Sequence, residues 1–132
     1  MSDAPNFDLG IAALDTEHRG QLELMNRLAD ALAAGRPEEE VGAKLEALIA
    51  YLDAHFMSEQ ISMREQSYPA YEAHVREHEE ALELMNALEE RCADGDVQVS
   101  AEILAALRGW LVDHVQTADR QLAQFMTIEG QA

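Results

Sequence analysis

Apolar residues recur along this chain at spacings of three and four, the interval at which one face of an α-helix is revisited. The first stripe reads Leu14, His18, Leu22, Met25, Ala29 and Leu32, and the second reads Val41, Leu45, Leu48, Leu52, His55 and Glu59. The third reads Tyr71, His74, His78, Leu82, Met85 and Leu88, and the fourth reads Ile103, Leu107, Trp110 or Leu111, His114, Ala118 and Leu122. Three breaks separate them: AAGRPEE around Gly35 and Pro37, QSYPA around Pro69, and ADGDVQVS from Ala93 to Ser100. The pattern predicts helices over about Asp15 to Ala34, Pro37 to Gln66, Ala70 to Cys92, and from after Ser100 to near Met126. Asp15 and Ser100 are the expected N-caps, and Pro37 suits a first turn that Glu38, Glu39 and Glu40 then hold at the positive end of the helix dipole. Short connections between long helices favour antiparallel neighbours. The expected architecture is therefore all-α, an up-down-up-down antiparallel four-helix bundle with residues 1 to 14 as an N-terminal arm.

Composition supports that reading and narrows the partners. A chain of 132 residues is long enough for one domain with a real core and too short for two, so residues 1–132 are read as a single domain. It holds only seven glycines and three prolines, a helical composition. A formal net charge of −17 repels nucleic acid and anionic lipid alike, so neither is an expected partner. Cys92 is the lone cysteine and has no intramolecular disulfide to make. No apolar run approaches a membrane span and no basic-then-apolar leader opens the chain, so a cytoplasmic protein is expected.

The polar intrusions on the stripes are the informative residues. All five histidines, His18, His55, His74, His78 and His114, fall on inward faces, and Glu59 accompanies His55 one turn later. A single histidine on an apolar stripe is ordinarily a satisfied core residue. Here every helix contributes and every histidine is used. Each buried polar group without a partner costs about 1–3 kcal/mol, so the set together approaches the ~5–15 kcal/mol that holds a whole domain folded. Metal ions satisfy such groups directly, and imidazole with carboxylate suits iron, zinc, manganese or copper. The positions also agree in depth. His18 lies near the start of its helix, His55 near the end of the next, His74 and His78 at the start of the third and His114 past the middle of the fourth, which an antiparallel bundle brings to one level.

The residues three before the histidines are Asp15, Leu52, Tyr71, Val75 and Leu111, so the Glu-x-x-His motif of di-iron carboxylate bundles is missing and the site is histidine-rich instead. DTEH at Asp15 to His18, HFMSE at His55 to Glu59, YPAYEAHVREH at Tyr68 to His78 and WLVDHVQTAD at Trp110 to Asp119 resemble the four signatures of the bacteriohemerythrins. The resemblance runs from about Asp8 to Phe125. It implies two iron ions with an oxo or hydroxo bridge, one held by His74, His78 and His114 and the other by His18 and His55, with Glu59 and Asp119 bridging both.

Asp119 enters through the resemblance alone. It lies five residues after His114, about 140° round an ideal helix, where a solvent-facing aspartate is the ordinary expectation. A π-like widening between the two residues would bring it inward. With the implied ligands, about eleven of the twelve positions on two six-coordinate irons are filled, leaving one for dioxygen. The resemblance further implies reversible dioxygen binding, as carrier, store or delivery protein and not as an enzyme, in an apolar pocket lined by Leu22, Trp110, Leu111, Val115 and Ala118. The alternatives are a di-iron peroxidase, a nitric oxide or peroxide scavenger, which needs an open polar approach to the site, and a stand-alone oxygen or redox sensor. Gln60, Gln116, Leu122 and Phe7 depart from the family pattern without removing a ligand.

Overall fold

A computed structural model describes residues 5–131, with side chains as far as residue 127. Four helical columns form the bundle: α1 (Ala12–Ala33), α2 (Glu38–Glu65), α3 (Tyr71–Ala93), and a fourth made of α4 (Val97–His114), a single π turn (Val115–Asp119) and α5 (Arg120–Gln131). Each column packs against its neighbour in the chain, and α4 closes the ring against α1. No strand occurs among the described residues. Gly35 and Gly95 supply the positive φ angles of the first and third connections, while Ser67, a non-glycine at φ 51°, turns the second before Pro69.

Two starts differ from the sequence expectation. α1 opens three residues ahead of Asp15, so residues 12 to 14 of the expected arm are helical. Asp15 sits in the first turn, buried, and its carboxylate takes the N–H of Leu9 at 2.8 Å, tying down the arm instead of capping the helix. α4 opens at Val97 with Asp96 as N-cap, its carboxylate accepting from the Val99 N–H at 3.1 Å. Ser100 lies inside the first turn, and an aspartate four residues upstream outcompetes it because it reaches a free N–H that Ser100 does not. Residues 1–4 of the arm lie outside the described residues.

The stripes are inward with two exceptions. Ala29 and Leu82 are exposed, and Leu28 and Ala81 take the core positions beside them. A spacing of three or four admits either neighbour, and a helix of 3.6 residues per turn drifts away from any fixed choice. Away from the histidines the interior is built mainly by Met25, Leu28, Leu48, Leu88, Leu104 and Leu107, with Ser100 a buried polar residue at that end. Phe7 joins this core from the arm, 2% exposed and edge-on to the His18 ring at 6.1 Å. The bundle thus has a dry half and a polar half, and the polar half is where α1 and α3 begin and α2 and α4 end.

Candidate metal centre

All five histidines, with Glu59 and Asp119, are buried at that polar end. His18 comes from α1, His55 and Glu59 from α2, His74 and His78 from α3, and His114 from the last residue of α4. The π turn that follows resets the helical phase, so Asp119 is 1% exposed rather than facing water. The expected widening between residues 114 and 119 is present.

The carboxylate oxygens divide the imidazoles into two groups. Glu59 Oε1 lies 2.6 Å from His74 Nε2 and 2.9 Å from His78 Nε2, while its Oε2 faces His55 Nε2 at 3.4 Å. Asp119 Oδ1 lies 3.0 Å from His74 Nε2 and 3.2 Å from His114 Nε2, while its Oδ2 faces His18 Nε2 at 3.0 Å. Each carboxylate turns one oxygen to two rings of the group His74, His78 and His114, and the other to one ring of the pair His18 and His55. Two sets of donor atoms lie close enough together to hold an ion: Glu59 with His74, His78 and His114, and His18 with His55, Glu59 and Asp119.

Side chains outside this set hold the far edges of three rings. The Nδ1–H of His55 donates to Glu17 at 2.7 Å, that of His114 to Glu77 at 2.7 Å, and that of His78 to the amide oxygen of Gln60 at 2.9 Å. Those contacts turn Nε2 inward on every ring they touch. Aromatic faces complete the wall, with Phe56 stacked on His78 at 4.2 Å and Trp110 stacked on His114 at 4.5 Å. Glu17, Gln60, Glu77 and Phe56 were not singled out from the stripes as site residues. Glu17 and Glu77 each immediately precede an inward histidine but bond to a histidine of the next helix, so adjacency in the sequence does not name their partners.

The electrostatics describe a set of groups that fit a cation. Burial disfavours the charged imidazole of His55, yet the hydrogen bonds and charge of Glu59, with Glu17 and Asp119, outweigh it and raise its pKa to about 9. His74 is likewise raised to about 9, against burial, by the Asp119 and Glu59 carboxylates beside it. Burial also works against the charged carboxylates, but the imidazoles around them hold both Glu59 and Asp119 below the usual carboxylate range. His78 goes the other way. Burial, with the charges of His74 and His114, pushes it down toward the neutral ring despite Glu59. A neutral His78 that gives its one N–H to Gln60 presents the Nε2 lone pair to Glu59 Oε1 at 2.9 Å, acceptor against acceptor. A metal ion relieves that opposition. His18 Nε2, His114 Nε2, Glu59 Oε2 and Asp119 Oδ1 are also buried without a hydrogen-bond partner, and each is a donor atom facing the same centre.

Of the five residues expected to line an apolar pocket, Leu22, Leu111, Val115 and Ala118 are buried and Trp110 is half-buried. A separate cavity of about 190 Å³ reaches His55 and Glu59 from between α1, α2 and α5, and Leu14, Glu17, Ser58 and Leu122 are among its walls. None of the five expected residues lines it.

Known proteins resemble this chain in sequence and in fold. The sequence model of the family described as the hemerythrin HHE cation binding domain matches residues 9–126. The bacteriohemerythrin of Methylococcus capsulatus is 30% identical over 117 residues, covering 89% of this chain and 88% of the relative. That of Ralstonia nicotianae is 31% identical over 122 residues, covering 92% and 85%. A crystal structure of a wild-type hemerythrin superposes with a TM-score of 0.75 at 30% identity, covering 83% of this chain and 84% of the other.

Proposed function

The chain belongs to the hemerythrin family, and from that membership we propose that it binds dioxygen reversibly at a histidine-rich non-haem di-iron centre, as an oxygen carrier, store or delivery protein and not as an enzyme. His74, His78 and His114 would hold one iron and His18 and His55 the other, with Glu59 and Asp119 shared between them. The iron pair, when bound, supplies one electron from each metal and an open coordination position to dioxygen. The observation that carries the reading is the division of oxygens: both carboxylates face both imidazole groups, the arrangement a pair of cations requires and a single cation does not.

The chain's own residues do the rest. Glu17, Gln60 and Glu77 accept hydrogen bonds from the Nδ1–H groups, which directs Nε2 of His55, His78 and His114 inward, where it would offer its lone pair to a metal. Phe56 and Trp110, packed edge to face at 5.8 Å, wall off the three-histidine group from water. Leu22, Leu111, Val115 and Ala118 extend the apolar lining, which would keep water and its protons from a bound metal pair. Every helix of the bundle contributes a ligand, so the described residues work as one domain. No described helix is long and apolar enough to cross a membrane, and a cytoplasmic place for the protein accords with that and with a free Cys92.

A second reading has its own observation. The cavity at His55 and Glu59 is mostly apolar, but Glu17, Ser58 and Ser62 stand in its walls and would give a peroxide or nitric oxide scavenger polar contacts on the approach. Iron loading followed by metal analysis tests the site itself, with two irons per chain expected. Loss of that stoichiometry to one or none in the wild-type protein contradicts it. Catalytic consumption of peroxide with a reductant at enzyme-like rates would select the scavenger.

A further inference from the structure

Three rings of the centre are held at Nδ1 by side chains of two different kinds. Glu17 and Glu77 offer carboxylates to His55 and His114, each at 2.7 Å, whereas Gln60 offers His78 a neutral amide oxygen at 2.9 Å. An Nδ1–H that donates to a carboxylate surrenders more of its proton than one that donates to an amide, and the Nε2 of that ring becomes the stronger donor. Stronger donation favours the more highly charged metal. His78 is therefore the weaker donor beside His114, although both rings face the same group of ligands.

We propose that Gln60 is a positioning residue that fixes the His78 ring while keeping it a weaker donor than the carboxylate-held rings, and so favours the reduced state of the metal that His74, His78 and His114 hold. This rests on the metal-centre reading above. Gln60 lies one helical turn after Phe56 on α2, and the two clamp one ring between them. Phe56 lies over its face, 16° from parallel, and Gln60 meets its edge. The face contact fixes the ring plane and the edge contact fixes rotation within it. With Nε2 turned to a metal, Nδ1 carries the proton, so the amide must present its oxygen.

The wild type, Gln60→Glu and Gln60→Leu are compared in two forms. The zinc-loaded proteins report zinc stoichiometry, zinc affinity and the imidazole nitrogen and proton resonances. The iron-loaded proteins report the reduced-to-oxidised ratio across a redox titration. Gln60→Glu keeps the shape and supplies a carboxylate, so the His78 Nδ1 proton should move downfield with His55 and His114 unmoved. The reduced-to-oxidised ratio at a fixed potential should fall several-fold. Gln60→Leu should weaken zinc by about 10–100-fold. The proposal is overturned if Gln60→Glu leaves both the His78 resonance and the ratio at wild type, and that variant decides the matter should Gln60→Leu not fold. A wild type that takes up no zinc pair overturns the metal-centre reading instead, whereas two zincs bound with indifferent Gln60 variants overturn this inference alone.

Discussion

The two halves of the bundle are built from the same helices with the same spacing, yet they are held together by different forces. In the dry half, Leu28, Leu48, Leu88 and Leu107 are fully buried among other aliphatic side chains and need nothing but packing. In the polar half, five imidazoles and two carboxylates occupy the equivalent inward positions and leave donor atoms unpartnered. A helical stripe therefore specifies burial and does not specify what stabilises it. The dry half needs packing alone, whereas the polar half presents unpartnered donor atoms that a bound metal would satisfy.

The comparison is broken hardest from the polar side. His78→Ala should remove the three-histidine metal and cost about 3–5 kcal/mol in the loaded protein, since Glu59 and the remaining ligands stay buried with less to satisfy them. Iron analysis and thermal melting check it, and a variant that retained two irons with an unchanged melting temperature would reverse the assignment. The matching change in the dry half, Leu107→Ala, should cost about 2–5 kcal/mol by leaving a cavity. Iron stoichiometry at low temperature should not change, because Leu107 lies two turns from His114 and holds no metal.

A milder contrast comes from pH acting on the metal-free protein. His55 and His74 have folded pKa values near 9, above the ordinary 6.5, so the folded state binds their protons more tightly than the unfolded chain does. That stabilisation is complete below the ordinary value and is lost as pH rises through about 9, on the order of 3 kcal/mol for each ring. Glu59 and Asp119, held low, act at the other end and lose their contribution as pH falls through their folded values. Denaturant titrations at pH 7 and pH 10 should show the metal-free protein weaker at the higher pH. Metal loading should largely remove the dependence, since the metals displace the protons.

The smallest expected effect concerns the lining. Ala118 is buried in the π turn beside Asp119, and a larger branched side chain there would crowd the lining. Ala118→Ile should slow azide entry and autoxidation by several-fold with two irons retained. Unchanged stopped-flow rates would place Ala118 away from the ligand.

What could be read from the residues alone follows the same division. Periodicity was enough for four helices, their connections and the inward direction of all five histidines, because burial of a helix face is a local property. Asp119 was not recoverable from spacing. Its inward direction depends on a π turn that an ideal helix does not contain, and family resemblance supplied it. Glu17, Gln60 and Glu77 were hidden for a related reason: they stand beside the stripe and act on rings of another helix or another turn, so only the packed bundle shows their partners. The caps at Asp15 and Ser100 misled because a residue suited to capping also suits a first turn, and Asp15 spends its carboxylate on Leu9 of the arm.

Oxygen uptake by the reduced, iron-loaded protein tests the central claim most directly. Uptake followed together with the optical spectrum through repeated cycles of air and argon should show one dioxygen taken per iron pair, a new absorption band in air, and return to the reduced spectrum under argon without added reductant. Uptake exceeding one dioxygen per pair, or a band that argon does not reverse, would contradict reversible carriage and make the centre an enzyme's.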